Sequence, residues 1–322
     1  MHLGGNFLYL SDPVLEGLDI TPTEIADAIE IAIAQRTNGT LHAAPKAAVL
    51  PGEGRYMMST LSVGDGPGLT VLKVATVSPD NPLREMPSIN GTILALDSQT
   101  GVPRAVMGAN WITAVRTAGL SAVAARRMGD PASKSVAFVG CGVQARSHLD
   151  AFAAIFPLTE IRAFGRGASN VKSLCDKASS MGLRAVASDT AEAALSGADL
   201  IVTSVTLDYS IDPFLDVRWL KPGAFAAITD LGIPWITDSM PTFKAIVVDD
   251  MEQEKLSPKP VAPRDLIRGD LTELVNGTVP LTHNPSGPTA FAFRGMALGD
   301  FAAAALAIER AEAAGVGQNI SQ

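Results

Sequence analysis

The sequence predicts an α/β protein in which a doubly wound parallel sheet is inserted in a discontinuous α+β domain. Three observations lead to this prediction. Residues 46–108 contain short β-like runs without helices between them, residues 135–250 alternate apolar strands with helices, and an Ala-rich helix at 295–314 follows outside that alternation. Strands that alternate with helices form parallel sheets covered on both faces, whereas strands in direct succession form antiparallel or mixed sheets.

The N-terminal part begins with the signals of a helix at 20–35. Thr21 stands before Pro22 and three positions before Glu24, an arrangement that caps a helix start, and isoleucines then recur every four residues. Five β-like runs follow, each bounded by Gly, Pro, Asp or Asn: KAAVL, RYMMSTLSV, LTVLKVATV, GTILALD and PRAVM. We therefore predict an antiparallel or mixed sheet in this part of the chain.

The middle of the chain starts with a helix predicted at 112–128, which is rich in Ala and ends in basic residues that suit a helix C-terminus. The apolar strands that follow are SVAFVG, EIRAFG, RAVAS, DLIVTSV, GAFAAIT and AIVVDD. Helical segments separate them at 143–156, at 169–181 and in TAEAALSG. The last helix, at 295–314, comes after a link that contains Pro and Gly, and we expect it to fold back on the N-terminal part.

Composition limits the classes of partner. The 322 residues are enough for about two domains, and 47% hydrophobic with 18% charged residues is typical of a globular protein. The net charge of −8 argues against a nucleic-acid partner, which needs a basic surface. Cys141 and Cys175 form neither a disulfide framework nor the spacing of a zinc site, so no metal is predicted. The start does not resemble a leader peptide and no run of about 18 apolar residues occurs, so we expect a cytoplasmic protein without a membrane partner.

The segment VAFVGCGVQARSHLDAF, residues 136–152, is predicted to run from a buried strand through a glycine turn into a helix. Gly140, Gly142 and Ala145 have the spacing that lets backbone amides and a helix N-terminus approach a pyrophosphate. A turn that is merely tight is the alternative, but the strand before it and the helix after it favour a bound dinucleotide. The turn therefore predicts a Rossmann domain.

The loop after the second strand of this domain reads IRAFGRGASN and lacks the acidic residue that usually binds the ribose of NAD. Arg166 in this loop is able to pair with the 2′-phosphate of NADP or to stack on the adenine. A solvated loop arginine is the other interpretation. NADP is favoured over NAD, and both stay open.

Six stretches together resemble the ornithine cyclodeaminase/μ-crystallin family. They are LKVATVSPDNP (72–82), DSQTGVPRAVM (97–107), TAVRTAGLSAVAARRM (113–128), VGCGVQARSHLDAF (139–152), ADLIVTS (198–204) and GMALGDFAAAALAIERA (295–311), in the order of the family. The resemblance implies a Rossmann domain at 116–294, inserted in a substrate-binding and dimerisation domain made of 1–115 and 295–322. It also implies a homodimer that uses NAD or NADP and transfers hydride at an amino-acid carbon bonded to nitrogen.

The resemblance implies roles for single residues. Lys73 matches the family's active-site lysine, which would lie beside the imine carbon, orient the substrate and donate a proton; a snorkelling edge lysine is the alternative. Lys46 stands where the family has a carboxylate-binding arginine, so the bidentate fork is lost. Arg116 matches an arginine near the substrate carboxylate and the cofactor, with pairing to a structural acid as the alternative.

The family resemblance implies three sets of functional residues in this chain. The residues expected to bind substrate are Lys46, Met58, Lys73, Arg116, Arg294 and Gly295. The residues expected to bind the cofactor are Ser88, Arg116, Thr117, Gly140, Gly142, Val143, Gln144, Arg166, Ser204, Val205, Thr206 and Asp230. The candidates for catalytic proton transfer are Lys73 and Asp230.

Two positions depart from the cyclodeaminase pattern. In the loop ITDLGIP, alignment on Pro234 places Gly232 where cyclodeaminases have the aspartate used for proton transfer, with Asp230 two residues earlier. Ring closure of ornithine needs such an acid, whereas reduction of an imine needs only hydride and a protonated or polarised nitrogen. Arg294 replaces a small apolar residue beside the substrate's side chain, where it would repel an ammonium and attract a second carboxylate. Pairing of Arg294 with an acid such as Asp300 is the alternative.

These residues lead to three hypotheses. The first is an NAD(P)H-dependent imine reductase or amino-acid dehydrogenase that acts on a small α-imino acid, in its sharpest form iminosuccinate to aspartate. Lys46 and Arg116 would then bind the α-carboxylate, and Arg294 the distal one. The second is an ornithine cyclodeaminase with bound NAD, which converts ornithine to proline and ammonia. The third is a non-catalytic μ-crystallin-like protein that binds cofactor and a small ligand, although Lys73 and Arg116 together favour chemistry.

Overall fold

The computed structural model describes residues 5–321 and divides the chain into two compact units. Within the described residues, the first unit runs to Arg116 and resumes at Gly295, and the second unit is Thr117–Arg294. Each unit contains one eight-stranded sheet. Between residues 5 and 321, no helix is long and apolar enough to cross a membrane.

The helices and strands are numbered in chain order. The helices of the described chain are α1 (Asp12–Glu16), α2 (Pro22–Thr37), α3 (Asn110–Met128), α4 (Val143–Ala153), α5 (Ala168–Ser180), α6 (Ala191–Leu195), α7 (Met251–Leu256), α8 (Leu271–Asn276) and α9 (Ala297–Ala314). The strands are β1 (Asn6–Leu10), β2 (Leu41–Ala43), β3 (Ala47–Gly52), β4 (Arg55–Gly64), β5 (Leu69–Val77), β6 (Ile89–Asp97), β7 (Pro103–Gly108), β8 (Ser135–Val139), β9 (Glu160–Phe164), β10 (Arg184–Ala187), β11 (Leu200–Thr203), β12 (Phe225–Ile228), β13 (Ala245–Val248), β14 (Ile267–Asp270), β15 (Thr289–Ala292) and β16 (Gln318–Ser321).

Helix α2 forms from the local signals that predict it. The Thr21 side chain accepts a hydrogen bond from the Glu24 backbone N–H, and the Glu24 carboxylate accepts one from the Thr21 backbone N–H, which closes a capping box. The face that contains Ile25, Ile29 and Ile33 is buried behind it. The prediction of this helix is confirmed.

The sheet of the first unit has the strand order β16-β1-β7-β6-β5-β4-β2, with β3 paired to β4. Its pairs are antiparallel except β1 with β7, so the predicted antiparallel or mixed sheet is confirmed. Helix α9 packs against α2, β4 and β5, as expected of a last helix that returns to the N-terminal part. Gly64 permits this close packing, because a Cβ atom there would lie 2.5 Å from the Phe301 ring.

The two faces of this sheet differ in exposure. Along β5, residues alternate between buried and partly exposed, and Lys73 belongs to the buried set. Because β5 lies between β4 and β6 and Lys73 is fully buried, this lysine is not a snorkelling edge residue. On the outer face, Leu61 of β4 and Val74 of β5 are 41% and 51% exposed, and apolar residues of β3 are also exposed.

The sheet of the second unit has the order β10-β9-β8-β11-β12-β15-β13-β14, and all its pairs are parallel. The predicted α/β class with a doubly wound parallel sheet is therefore confirmed. One part of the prediction is wrong: the segment assigned to a link before the last helix contains β15, which is fully buried between β12 and β13. Strand β15 has only four residues and follows an irregular stretch, so its sequence pattern is too short to predict a central strand.

Candidate active site

The glycine turn of the second unit has the geometry of a dinucleotide cradle. It connects the end of β8 to the start of α4. Gly140 has φ of +85°, and a Cβ atom there would lie 2.5 Å from the Ser204 carbonyl oxygen, so a side chain does not fit. Gly142 is the N-cap of α4 without a side-chain cap, and a Cβ there would meet no atom within 4 Å. Backbone amides at this helix start therefore fit the phosphates of a dinucleotide.

Ser204 and Val205 lie beside this turn, because β11 and β8 are parallel neighbours whose carboxyl ends meet at one edge. The Ser204 hydroxyl donates to the Gly140 carbonyl oxygen at 3.0 Å. Thr206 follows and is exposed. The predicted cofactor residues of β11 and of the turn are thus brought together within the second unit.

Asp230 follows β12 and is fully buried. Its carboxylate accepts hydrogen bonds from the Thr203 hydroxyl at 3.1 Å and from Val205 N–H at 3.2 Å, and Trp235 donates to Thr203. Burial raises the pKa of Asp230 to about 6, although these hydrogen bonds act against it. The carboxylate holds the segment after β11, and this geometry does not support its predicted role as a catalytic proton donor.

Gly232 has no room for the acid that the cyclodeaminase pattern requires. Its φ is +72°, a left-handed conformation that favours glycine. A Cβ atom at this position would lie 2.3 Å from the Val261 carbonyl oxygen. The backbone conformation of this loop therefore requires glycine at position 232, where cyclodeaminases have an aspartate.

The loop after β9 carries no acidic side chain. Gly165, Arg166 and Gly167 lead from this strand into α5, and Arg166 is exposed. A Cβ at Gly165 would make only ordinary contacts, 3.5 Å from Cys141 Sγ and 3.6 Å from Val171. The backbone at this position therefore tolerates a Cβ atom, and crowding at Cβ does not explain the glycine.

The first unit contains a buried cluster of charged side chains. Lys73 Nζ donates to Asp300 Oδ1 at 2.6 Å, and the Thr60 hydroxyl donates to Asp300 Oδ2 at 2.8 Å. Arg116 Nε lies 3.0 Å from Asp300 Oδ1. Lys73 and Thr60 are opposite each other on β5 and β4, while Arg116 comes from α3 and Asp300 from α9.

The cluster shifts the acidity of its members. Burial, together with the Arg116 charge, lowers the pKa of Lys73 to about 8, even though Asp300 acts in the opposite direction. Burial alone would raise the pKa of Asp300, but Arg116 and Lys73 more than offset it, so the carboxyl stays below its usual range. Lys73 is therefore protonated near neutral pH and able to release its proton.

The other predicted residues include Lys46 and Met58 of the first unit. Lys46 Nζ lies 5.6 Å from the centre of the Tyr56 ring, and its charge also lowers the pKa of Lys73. Met58 is two positions before Thr60 on β4 and is half-buried. The remaining residues expected to bind substrate or cofactor stay predictions: Ser88, Thr117, Val143, Gln144 and Gly295.

Arg294 is engaged within the second unit. Its Nε donates to Glu254 Oε2 at 2.6 Å, its terminal nitrogen donates to the Lys259 carbonyl oxygen, and its backbone N–H donates to Asp249 at 3.1 Å. The Arg294 and Glu254 side chains are 11% and 4% exposed. Arg294 therefore pairs with an acidic side chain, as the alternative interpretation expected, but the acid is Glu254 and not Asp300. The predicted contact between Arg294 and a distal substrate carboxylate is not supported.

Asp300 and Thr60 belong to the site but were not predicted as members of it from the sequence. A signal for Asp300 was present, since no other charged residue stands between Arg294 and Glu309 in an apolar helix. Thr60 carries no such signal. Among the described residues, no group of three His, Cys, Asp or Glu side chains could hold a metal ion.

Known proteins resemble this chain along most of its length. A family model described as the ornithine cyclodeaminase/mu-crystallin family matches residues 12–315. Ketimine reductase mu-crystallin of Rattus norvegicus is 34% identical over 225 residues, which are 69% of this chain and 69% of that protein. A relative from Rhizobium meliloti is 37% identical over 161 residues, 49% of this chain, and the match spans 48% of that relative.

Solved structures share the fold. Δ1-pyrroline-2-carboxylate reductase of Thermococcus litoralis, in complex with NADH and L-proline, has a TM-score of 0.89 at 25% identity and covers 98% of this chain and 100% of that chain. Iminosuccinate reductase of Paracoccus denitrificans, in complex with NAD+, has a TM-score of 0.82 at 21% identity and covers 98% and 99%. The family resemblance predicted from the sequence is confirmed. Because a single family model extends over both units, the chain belongs to the ornithine cyclodeaminase/mu-crystallin family.

Proposed function

We propose that this chain is an NAD(P)H-dependent reductase of a small α-imino acid, with oxidation of the matching amino acid as the reverse reaction. The observation that carries the proposal is the buried cluster of Lys73, Arg116 and Asp300. Two cationic groups face one carboxylate there, so the three together carry an excess positive charge. Such a charge suits the carboxylate of an α-imino acid.

Lys73 is the proton donor in this proposal. An imine nitrogen accepts hydride readily when it is protonated or strongly polarised. With a pKa of about 8, Lys73 is largely protonated at neutral pH and gives up its proton more easily than an exposed lysine. Arg116 and Lys46 are assigned to the substrate's α-carboxylate.

The cofactor is a nicotinamide dinucleotide. The turn at Gly140 and Gly142 fits its phosphates, and the Thermococcus relative is solved with NADH. When bound, the nicotinamide supplies the hydride. We favour NADPH over NADH because no carboxylate follows β9 and Arg166 is exposed there.

The substrate is a monocarboxylic imine in the version that we favour. The narrower hypothesis, iminosuccinate to aspartate, depends on Arg294 as the ligand of a second carboxylate. That guanidinium is held by Glu254 in a buried ion pair. A cyclic or simple aliphatic α-imino acid needs no such ligand, and the Thermococcus relative is named for a cyclic one.

Ornithine cyclodeamination is the less favoured reaction. It needs an acid in the loop after β12, yet Gly232 has no space for a side chain and Asp230 is buried. A binding protein without chemistry is also less favoured, because storage of a ligand does not require a fully buried lysine with a lowered pKa.

The chain is further proposed to form a homodimer through the outer face of the first unit's sheet. Apolar side chains on that face and on β3 are exposed, among them Val74 at 51% and Val49 at 64%. We expect Val74→Lys to convert the dimer into a monomer in light scattering after size-exclusion chromatography. A wild-type monomer would contradict this part of the proposal.

Absorbance at the nicotinamide band tests the reaction directly. The panel contains Δ1-pyrroline-2-carboxylate, pyruvate with ammonia, glyoxylate with amines and oxaloacetate with ammonia, each with NADH and with NADPH. We expect oxidation of the cofactor with at least one monocarboxylic imine. Failure of all four, or ammonia release from ornithine without net cofactor change, would overturn the reductase.

A further inference from the structure

Asp300 occupies an unusual position for a charged residue. It lies in the first turn of α9, and no other charge stands between Arg294 and Glu309. Its side chain is 1% exposed. A negative charge is favoured at a helix N-terminus, but complete burial of a carboxylate requires strong partners.

Three separate elements supply those partners. Lys73 reaches Asp300 Oδ1 from β5 at 2.6 Å, Arg116 approaches the same oxygen from α3 at 3.0 Å, and Thr60 donates to Oδ2 from β4 at 2.8 Å. Both carboxylate oxygens are therefore used. The lysine and the arginine therefore converge on the same carboxylate oxygen of Asp300.

A purely structural role would not need this composition. A buried ion pair adds little stability compared with packed apolar residues of similar size, and here one anion is shared by two cations. The charged groups that face Lys73 are Asp300 from α9, Arg116 from α3 and Lys46 from the segment before β3. Asp300 is the one among them that favours the protonated lysine.

We propose that Asp300 is the positioning residue of this site: it aligns Lys73 with Arg116 and keeps Lys73 charged as the proton donor. The inference rests on the proposed function for its chemical meaning. Asp300 itself does not touch the substrate in this account. It acts through the two cations, and Thr60 fixes its second oxygen.

The first test measures Lys73 without substrate or cofactor. In protein labelled with ¹³C and ¹⁵N lysine, the Lys73 resonances are assigned by their loss in Lys73→Met. We expect the titration of Lys73 near pH 8 in the wild type and at lower pH in Asp300→Asn, because the group that favours the charged form is gone. An unchanged titration would overturn the proposal even if the reaction were confirmed.

The second test measures reduction of Δ1-pyrroline-2-carboxylate as a function of pH. At pH 7.5, Asp300→Asn should lose about 100-fold in kcat, and part of that loss should recover at lower pH, where Lys73 is protonated again. A loss that is the same at every pH indicates a structural role. If the wild type reduces no imine, the proposed function fails, while the lysine titration still decides the role of Asp300.

Milder variants cover the case in which Asp300→Asn does not fold. Thr60→Val keeps the shape of the side chain and removes the hydrogen bond to Asp300 Oδ2, so we expect about a ten-fold loss in kcat. Ser62→Ala is the matched control: Ser62 is on the same face of β4 and is 1% exposed, and its hydroxyl makes no hydrogen bond within residues 5–321. Equal effects of the two variants would contradict the positioning role.

Discussion

Alanine at position 232 is expected to destabilise the second unit strongly. Gly232 has φ of +72°, a conformation that costs a residue with a Cβ about 1–2 kcal/mol. The added Cβ would also lie 2.3 Å from the Val261 carbonyl oxygen, a backbone atom that has no rotamer to escape into. Because the main chain must move to relieve this contact, we expect a total loss of about 3–4 kcal/mol in the free energy of unfolding.

Urea unfolding of Gly232→Ala is compared with that of Gly182→Ala. Gly182 belongs to the same unit and has a similar φ of +79°, but a Cβ there would meet no atom within 4 Å. The control therefore measures the backbone strain alone, about 1–2 kcal/mol. If Gly232→Ala loses no more stability than Gly182→Ala, the loop has space for a side chain, and the argument that it excludes a catalytic acid is refuted.

Three further predictions concern the second unit. The folded pKa of Asp230, about 6, lies above its unfolded value, so this carboxyl contributes stability at low pH, of which about 2 kcal/mol is lost between pH 4 and pH 7.5. Buried His148, whose pKa is lowered to about 4, changes stability in the opposite direction over this range, so the prediction concerns the difference between the wild type and Asp230→Asn in urea unfolding. That difference should fall by about 2 kcal/mol from pH 4 to pH 7.5, and a difference that is independent of pH contradicts the assignment. Arg294→Met leaves Glu254 buried without its cation and should cost about 3–5 kcal/mol of stability, while the ratio of kcat/KM for dicarboxylic and monocarboxylic imines stays within about two-fold. A selective loss with the dicarboxylic imine would restore Arg294 as its ligand. Gly165→Asp, at a position where a Cβ atom makes only ordinary contacts, should shift the preference from NADPH towards NADH by about ten-fold or more in kcat/KM, and no shift would mean that Arg166 does not select the cofactor.

Local signals account for the parts of the fold that were predicted from the sequence. Helix α2 is specified within four residues, by Thr21 and Glu24, and the parallel strands are continuous apolar runs. Strand β15 was missed because its position between β12 and β13 depends on the complete sheet and not on its own four residues.

The candidate site was predictable where a residue type is itself unusual. A lysine within the apolar strand β5 is such a case, and so is a glycine turn between a strand and a helix. The partners of these residues were not predictable. Lys73 and Asp300 are 227 positions apart, and Arg294 meets Glu254 across 40 positions, so only the folded chain reveals that Asp300 serves the lysine while Arg294 is engaged elsewhere.

The most direct test of the proposed chemistry is the pH dependence of imine reduction in the wild type and in Lys73→Met, with cofactor binding measured in parallel by fluorescence. The variant leaves Asp300 paired with Arg116, so we expect it to fold and to bind the cofactor. Reduction of Δ1-pyrroline-2-carboxylate by the wild type should decline as the pH rises through about 8, since the protonated lysine is lost. Lys73→Met should be slower by about 10²–10⁴-fold at neutral pH. Wild-type activity without this decline, or a variant that reduces the imine as fast as the wild type, would contradict the assignment of Lys73 as the proton donor.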